Sequence, residues 1–450
     1  MTAMAASDEA AIARTAALFE APAPTLEAIA RDLTRQMARG LVGEPSSLKM
    51  LRTFTRQPSG HERGRVVVVD WGGTKARAGL VELGGAGSAR ILSEESLTFS
   101  DADKRGASEP VFDLIAGAVG RVVRAERVEA APLGFVYSYP ARLERIDRAV
   151  ALASTKGWRL KGLEGQDVAV LLGAALRRAG LERLVVAAVA NDTVAALMLQ
   201  SYRARSESAD ARPADVGLIL GTGTNQAADL GPAGIRNIES GNFDGVAAVE
   251  TPYDAALDRE LDEPRPGAQR FEKMVSGHYL GEILRRTLED LGRRTARFRW
   301  SASLTLATPF AVDSEHLSRI AADRTAALDD VDALLRALGV ASTVEERRGV
   351  RALGAAIARR AARLVGAALV GTLRFLDADL AGRRTIAVDG SLWGGYPGFE
   401  ALVRETSVEL LGGERAGRIE TVYVKDSTSA GAAVIAAVAA AQRSEGCSSA

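Results

Sequence analysis

Apolar residues at Leu26, Ile29, Leu33, Met37 and Leu41 recur at three- and four-residue intervals. This spacing predicts an amphipathic helix, closed by the break Gly43-Glu44-Pro45-Ser46-Ser47, so the first 60 or so residues read as one helix and a connecting loop. The pattern then changes. Val66-Val67-Val68-Val69 is a continuous β-branched run ending at Asp70, followed by Gly72-Gly73-Thr74 and then by alternation through Ala76, Ala78 and Leu80. Strand, tight turn and strand are predicted. The same arrangement returns from Val216 to Leu220, through Gly221-Thr222-Gly223-Thr224, into Ala227-Ala228-Asp229-Leu230. A further strand at 385–388 ends in Asp389-Gly390-Ser391, and helical spacing marks residues 114–124, 168–178, 193–203, 271–291, 344–378 and 432–441. Antiparallel hairpins mixed with strands and helices predict an α/β chain of two related halves.

Composition narrows the chemistry. At 450 residues the chain is too long for one compact core, and 47% apolar content is enough to fill two. With 57 basic and 57 acidic residues the formal net charge is zero, which argues for no nucleic-acid and no membrane partner and for a small or neutral substrate. The single cysteine, Cys447, excludes a disulfide framework and a cysteine-based metal site. Together with the lack of a basic-then-apolar leader or an apolar run of about 18 residues, this predicts a cytoplasmic protein. A monomer or homodimer is expected. Only His61, His278 and His316 are present, so acid–base work falls to carboxylates. Seven lysines against fifty arginines make Lys156 and Lys273 stand out within polar motifs.

Small turn residues let successive backbone N–H groups converge on one point, and such a concavity binds phosphate oxygens, with threonine adding a hydroxyl donor. Neither glycine turn is a Walker loop, because no Gly-Lys-Ser/Thr follows, and neither opens a helix as a dinucleotide fingerprint does. Each alone is compatible with a plain hairpin turn. Asp70, just before the first, is placed to reach a hydrated Mg²⁺ on a nucleotide. Between the hairpins, the apolar run 184–190 delivers Asn191 and Asp192 to a carboxyl end before a helix. Ligands bind at such ends, and helices are capped there by the same residue types. Asn225, Glu239 and Glu272 follow, acids and amides suited to paired hydroxyls if they converge.

Taken in order, these segments resemble the hexokinase family. Asp70-Trp71-Gly72-Gly73-Thr74-Lys75-Ala76-Arg77 and Leu220-Gly221-Thr222-Gly223-Thr224-Asn225 are similar to its two phosphate motifs, and Ser154-Thr155-Lys156-Gly157-Trp158 to its sugar loop. Asn191-Asp192-Thr193 resembles its catalytic segment, and the stretch from Phe271-Glu272-Lys273-Met274 to Glu282 one of its longest signatures. Pro45-Ser46-Ser47-Leu48-Lys49-Met50-Leu51 and Val388-Asp389-Gly390-Ser391 also have counterparts.

The resemblance implies an actin-like (ribonuclease H-like) two-lobe α/β fold that closes on sugar. It implies a small domain at 64–200 with the C-terminal helix 431–445, and a large domain at 201–430 joined by residues 1–63. Ser138, Thr155, Lys156, Asn191, Asp192, Asn225, Glu239 and Glu272 would hold a hexose, glucose first, with Asp192 and Lys156 catalytic. Asp70, Gly72, Gly73, Thr74, Lys75, Arg77, Thr222, Gly223 and Thr224 would meet Mg²⁺-ATP, with Asp70 facing the metal through water. The chain departs from the family where Tyr137 and Tyr139 flank Ser138 in place of the common Phe. It departs again at Ser240 and Asn242, at Lys75, and in Ser427-Thr428-Ser429-Ala430-Gly431-Ala432, which lacks two glycines of the adenosine loop. These differences bear on the hexose range and, in the last case, on the phosphoryl donor. A catalytically silent hexose sensor on the same fold is the alternative from another class. A repressor-type glucokinase fits less well, since those usually carry a cysteine-rich zinc cluster.

Overall fold

The computed structural model describes residues 2–72, 75–152, 158–205, 212–262, 264–295 and 304–448. Gly73, Thr74, Ser154, Thr155, Lys156 and Gly157 lie outside the described residues. In chain order the strands are β1 (Leu51–Arg52), β2 (Arg63–Trp71), β3 (Lys75–Gly85), β4 (Ser88–Thr98), β5 (Ala131–Tyr137), β6 (Ala141–Arg145) and β7 (Arg148–Ala151). They continue with β8 (Leu184–Ala190), β9 (Val216–Leu220), β10 (Thr224–Asp229), β11 (Ile235–Asn237), β12 (Arg384–Asp389) and β13 (Ile419–Tyr423).

Two sheets repeat one plan. The first has the order β4-β3-β2-β5-β8, antiparallel from β4 to β2 and parallel from β2 to β8. The second, β1-β11-β10-β9-β12-β13, is antiparallel from β1 to β9 and parallel through β12 and β13. The two glycine-turn hairpins, β2–β3 and β9–β10, hold equivalent places, so the halves are related in pairing order although they share few residues. The short hairpin β6–β7 stands apart. The interior strands β2 and β5 read as apolar runs because both of their faces are covered, whereas the edge strand β4 carries Arg90, Glu94 and Glu95.

Two crossing helices join the sheets. Helix Asp192–Ala204 leaves β8 and packs on β9, β10 and β12, while helix Ser427–Ser448 leaves β13 and returns onto β2, β5 and β8. Their contact depends on missing side chains. A Cβ at Gly431 would lie 2.1 Å from the Ala195 carbonyl oxygen, one at Gly134 2.4 Å from that of Ala432, and one at Gly217 2.2 Å from that of Thr193. Ala187, Ala188, Ala195, Ala196, Ala432, Ala433 and Ala436 fill the same buried layer, so backbones approach where larger residues would hold them apart.

In the other lobe, helix Val344–Leu376 forms the axis of the core, with helix Ala23–Leu41 against it. The helix expected from Leu26 to Leu41 is present, but a second one, Thr2–Ala17, precedes it, built from an alanine-rich stretch without clear periodicity. The single helix expected over 271–291 is instead two, Arg270–Val275 and Gly277–Arg294. The break is tertiary in origin: the N–H groups of Gly277 and His278 donate to the carbonyls of Gly221 (2.7 Å) and Thr222 (3.1 Å) in the second turn.

Candidate active site

The carboxyl ends of β2, β5, β8, β9 and β12 open onto one cleft of about 300 Å³ between the two sheets. It gathers Asp70, Gly72 and Arg77 from the first hairpin, Ser138 after β5, Asn191 and Asp192 after β8, and Thr222, Gly223, Thr224 and Asn225 from the second hairpin. Glu239 and Glu272 line it as well, whereas Gly73, Thr74, Thr155 and Lys156 of the set expected from sequence lie outside the described residues. Lys75 is exposed at the start of β3 and is not among the lining residues. Lys273 lies elsewhere: its buried ammonium donates to Asp258 at 2.6 Å and to the Pro264 carbonyl at 3.1 Å, a structural clamp on the loop before Arg270.

Which residue caps the helix after β8 is decided by geometry. Asn191 is the N-cap, its side-chain oxygen accepting from the Thr193 N–H at 3.0 Å, and Asp192 is the first helical residue with its carboxylate on the cleft. Asn191 also begins a chain of amides. Asn225 donates to Asn191 (3.3 Å) and to Asn237 (2.8 Å), Asn237 donates to Glu239 (2.8 Å), and the Asn225 oxygen accepts from the Ser240 N–H (3.0 Å). Glu239 itself sits at φ 58°, ψ 47°, a left-handed conformation uncommon outside glycine, which turns its carboxylate back into this row. Fixed acceptors and donors side by side are what vicinal hydroxyls require.

The second turn is clamped from behind. Its carbonyls are taken by Gly277 and His278, the Thr224 N–H donates to Glu272 at 2.9 Å, and the Thr222-Gly223 edge faces the cleft. A Cβ at Gly223 would lie 2.7 Å from the Glu272 carboxylate, so a larger residue there would push that carboxylate away from the Thr224 N–H. On the opposite wall, Asp70 pairs with Arg77 at 2.9 Å, and Arg77 reaches Glu94 at 3.8 Å. Burial pushes the Asp70 carboxyl up to about 6, against the pull of Arg77 and with the charge of Asp192 adding to the rise. A buried carboxylate oxygen aimed into a cleft suits a hard cation that keeps its own waters. Among the described residues no group of three or more His, Cys, Asp or Glu is placed to hold a metal by protein ligands alone.

A second cavity adjoins the first across Thr222 and Ser391, walled by His278 stacked on Phe310 at 4.8 Å, with Val312, Asp313 and Glu315. Burial lowers the His278 pKa, against the pull of Glu282, and so favours the neutral ring. Gln269 and Gly241 also line the cleft and had no signal in the sequence. Gln269 lies in a loop and is turned inward by a left-handed backbone (φ 53°).

Family models described as hexokinase match residues 11–202 and residues 215–438. The chain belongs to the hexokinase family. It is 35% identical to hexokinase-4, chloroplastic, of Oryza sativa subsp. japonica over 93% of this chain and 86% of that one. It is 30% identical to hexokinase-1 of Schizosaccharomyces pombe, over 94% and 89%. Among solved structures, the hexokinase from Schistosoma mansoni complexed with glucose superposes with a TM-score of 0.84 at 28% identity, covering 96% of this chain and 99% of that one. The expected actin-like two-lobe α/β fold and the hexokinase activity both stand, and family membership implies ATP as the phosphoryl donor. No helix among the described residues is long and apolar enough to cross a membrane.

Two departures of this hexokinase from the family pattern now have places. Asn242 lines the cleft and donates to the Glu239 carbonyl at 3.3 Å, beside the buried Ser240. The segment expected as an adenosine loop is the start of helix Ser427–Ser448, whose Ser427 N–H and hydroxyl donate to Asp389 at 2.7 and 2.6 Å. Thr428, in its first turn, reaches the cleft.

Proposed function

We propose that this hexokinase phosphorylates glucose, and other hexoses, at the 6-hydroxyl, with Asp192 as the general base. The observation that carries this reading is the position of the Asp192 carboxylate, on the cleft and beside the Asn191–Asn225–Asn237–Glu239 row, with the second turn next to it. Ser138, Asn191, Asn225, Glu239 and Glu272 bind and orient the sugar, as Thr155 and Lys156 are expected to. Phosphoryl transfer asks mainly for in-line positioning and charge cancellation. A carboxylate that orients the hydroxyl and accepts its proton late is therefore sufficient as base. Asp70 would hold, through water, a Mg²⁺ carried by the nucleotide, which would supply part of that cancellation. Gly72, Arg77, Thr222, Gly223 and Thr224 hold the phosphates, with Gly73, Thr74 and Lys75 expected beside them. We place the lobe boundaries near residues 64, 200 and 430, and the enzyme in the cytoplasm.

A coupled assay over a panel of hexoses with ATP, other nucleotides and polyphosphate tests the reading. Glucose with ATP is expected to release ADP. Sugar-induced stabilisation without ADP release would instead mark a sensor.

Asp70 adds a pH signature. Its folded-state pKa is raised to about 6, so Asp70 is a protonated carboxyl below that pH and a carboxylate above it. Only the carboxylate suits a cation, so kcat/KM for Mg-ATP is expected to fall up to tenfold for each pH unit below about 6. The Asp70→Asn variant is expected to be weaker at neutral pH and to lack that inflection. An unchanged inflection in the variant removes Asp70 from the nucleotide site.

A further inference from the structure

Ser138 is followed by a tyrosine whose hydroxyl sits at a junction of three chain segments. Tyr139 is buried, lines the cleft with its neighbour Ser138, and donates from its hydroxyl to the Gly72 carbonyl at 2.6 Å. The Trp158 side chain hydrogen-bonds the same hydroxyl, and since an indole N–H can only donate, the tyrosine oxygen accepts from it. Trp158 is itself 2% exposed and packs edge-on to Trp71 with ring centroids 5.3 Å apart. The polar path thus runs from the Trp158 indole through the Tyr139 hydroxyl to the Gly72 carbonyl.

The neighbouring backbone bonds show what this path fixes. Gly72 uses its N–H on the Lys75 carbonyl (3.0 Å) and its carbonyl on Tyr139, so both of its polar groups are committed at the mouth of the first phosphate turn. Ser138 donates its N–H to the Trp71 carbonyl at 3.2 Å, and Pro140 accepts from the Leu152 N–H at 2.9 Å. Residues 138–140 therefore touch the first turn on one side and both flanks of the 153–157 segment, Leu152 and Trp158, on the other. Tyr137 provides a contrast. Its ring packs in the same aromatic cluster, 5.1 Å from Tyr139 and tilted 45° to it, but its buried hydroxyl has no hydrogen-bond partner among the described residues.

We propose that Tyr139 is a positioning residue that ties the first phosphate turn to the hexose-binding segment, so that sugar bound at Ser138 stiffens the turn that receives the nucleotide. The inference rests on the reading that Ser138 meets hexose and the turn at Gly72 meets ATP. Burial pushes the phenol well above its ordinary pKa, so it remains a donor at any working pH. Phenylalanine at this position would keep the ring and leave the Gly72 carbonyl and the Trp158 N–H without their shared partner. An unsatisfied buried group costs at least as much as the bond it made.

The test is Tyr139→Phe in the full-length enzyme, with Tyr137→Phe as a control that removes the same atom two residues earlier. Steady-state kinetics are combined with the affinity for a non-hydrolysable ATP analogue plus Mg²⁺, measured with and without saturating glucose. Tyr139→Phe is expected to raise KM for ATP about threefold to tenfold, the equivalent of one buried hydrogen bond. It should leave the glucose affinity of the nucleotide-free enzyme within about twofold and reduce, by a similar factor, the tightening of the analogue that glucose induces. Trp158→Phe should move the same quantities in the same direction, and Tyr137→Phe should move none. An unaltered ATP KM in Tyr139→Phe overturns the proposal. So does an equal loss of sugar and nucleotide affinity with a lowered melting temperature, which would mark a merely structural role. A parent enzyme without glucose turnover removes the underlying reading along with the proposal.

Discussion

Asp192→Asn is expected to lower kcat by roughly a hundredfold to ten-thousandfold, the range a general base contributes, while glucose still binds within a few-fold of the parent affinity. The structure makes this substitution a clean one. Asn191, not Asp192, caps helix Asp192–Ala204, so the helix keeps its terminal hydrogen bond when the carboxylate becomes an amide. The amide keeps the size of the carboxylate and its acceptor oxygen, and the Thr193 N–H that donates to Asp192 at 2.9 Å retains a partner. What is lost is the capacity to take a proton. Coupled-assay kinetics together with calorimetric glucose titration separate the two quantities, and a melting temperature near that of the parent would exclude misfolding. Turnover within a few-fold of the parent would sink the assignment of Asp192 as base.

Gly217→Ala is expected to reduce kcat by about a hundredfold although Gly217 has no contact with substrate, because reacting groups displaced by about 1 Å lose that much. Gly217 lies in β9 under the first turn of the helix that begins with Asp192. A methyl group there would meet the Thr193 carbonyl oxygen at 2.2 Å and the Leu197 Cβ at 3.0 Å. Neither obstacle is the free end of a flexible side chain. The helix must move away from the sheet, taking Asp192 with it, and overpacking of this kind also costs about 1–3 kcal/mol of stability. Gly382→Ala is the matched control, since a Cβ there meets nothing within 4 Å. Kinetics and thermal denaturation of both variants give the comparison, and a Gly217→Ala enzyme with parental kcat would show that the sheet does not set the position of the base.

Much of the cleft could be read from local sequence. Val66 to Val69 and Val216 to Leu220 announce buried strands, and the glycine–threonine turns after them announce hairpins, because strand propensity and turn chemistry act over a few neighbouring residues. The placing of Asn191 and Asp192 at a strand end is legible for the same reason. The division of labour between them is not. Both residue types cap helices and both side chains accept from the Thr193 N–H, so the choice is visible only in the backbone, extended at Asn191 and helical from Asp192 onward, and in the bond from Asn225 to Asn191.

Other features depend on residues far apart in the chain. The helix expected over 271–291 breaks at Ser276 because two carbonyls of the second turn, more than fifty positions earlier, capture its N–H groups. Lys273 drew attention as a rare lysine, and it is Asp258 and the Pro264 carbonyl that make it a buried clamp. Gln269 enters the cleft through a backbone angle that no spacing of side chains predicts.

The sequence by itself therefore determined the strands of the two glycine-turn hairpins, β8 and β12, the two phosphate turns, most of the polar residues of the cleft and, through their order, the family. Each of those rests on short-range preferences or on the identity of a side chain. The tertiary structure decided which polar atoms meet: which residue caps, where the long helix breaks, how closely the Asp192 helix lies on β9, and that the Tyr139 hydroxyl joins Trp158 to Gly72. Hydrogen bonds and close packing act over about 3–4 Å. Those separations exist only once the two sheets and their crossing helices have brought distant segments together.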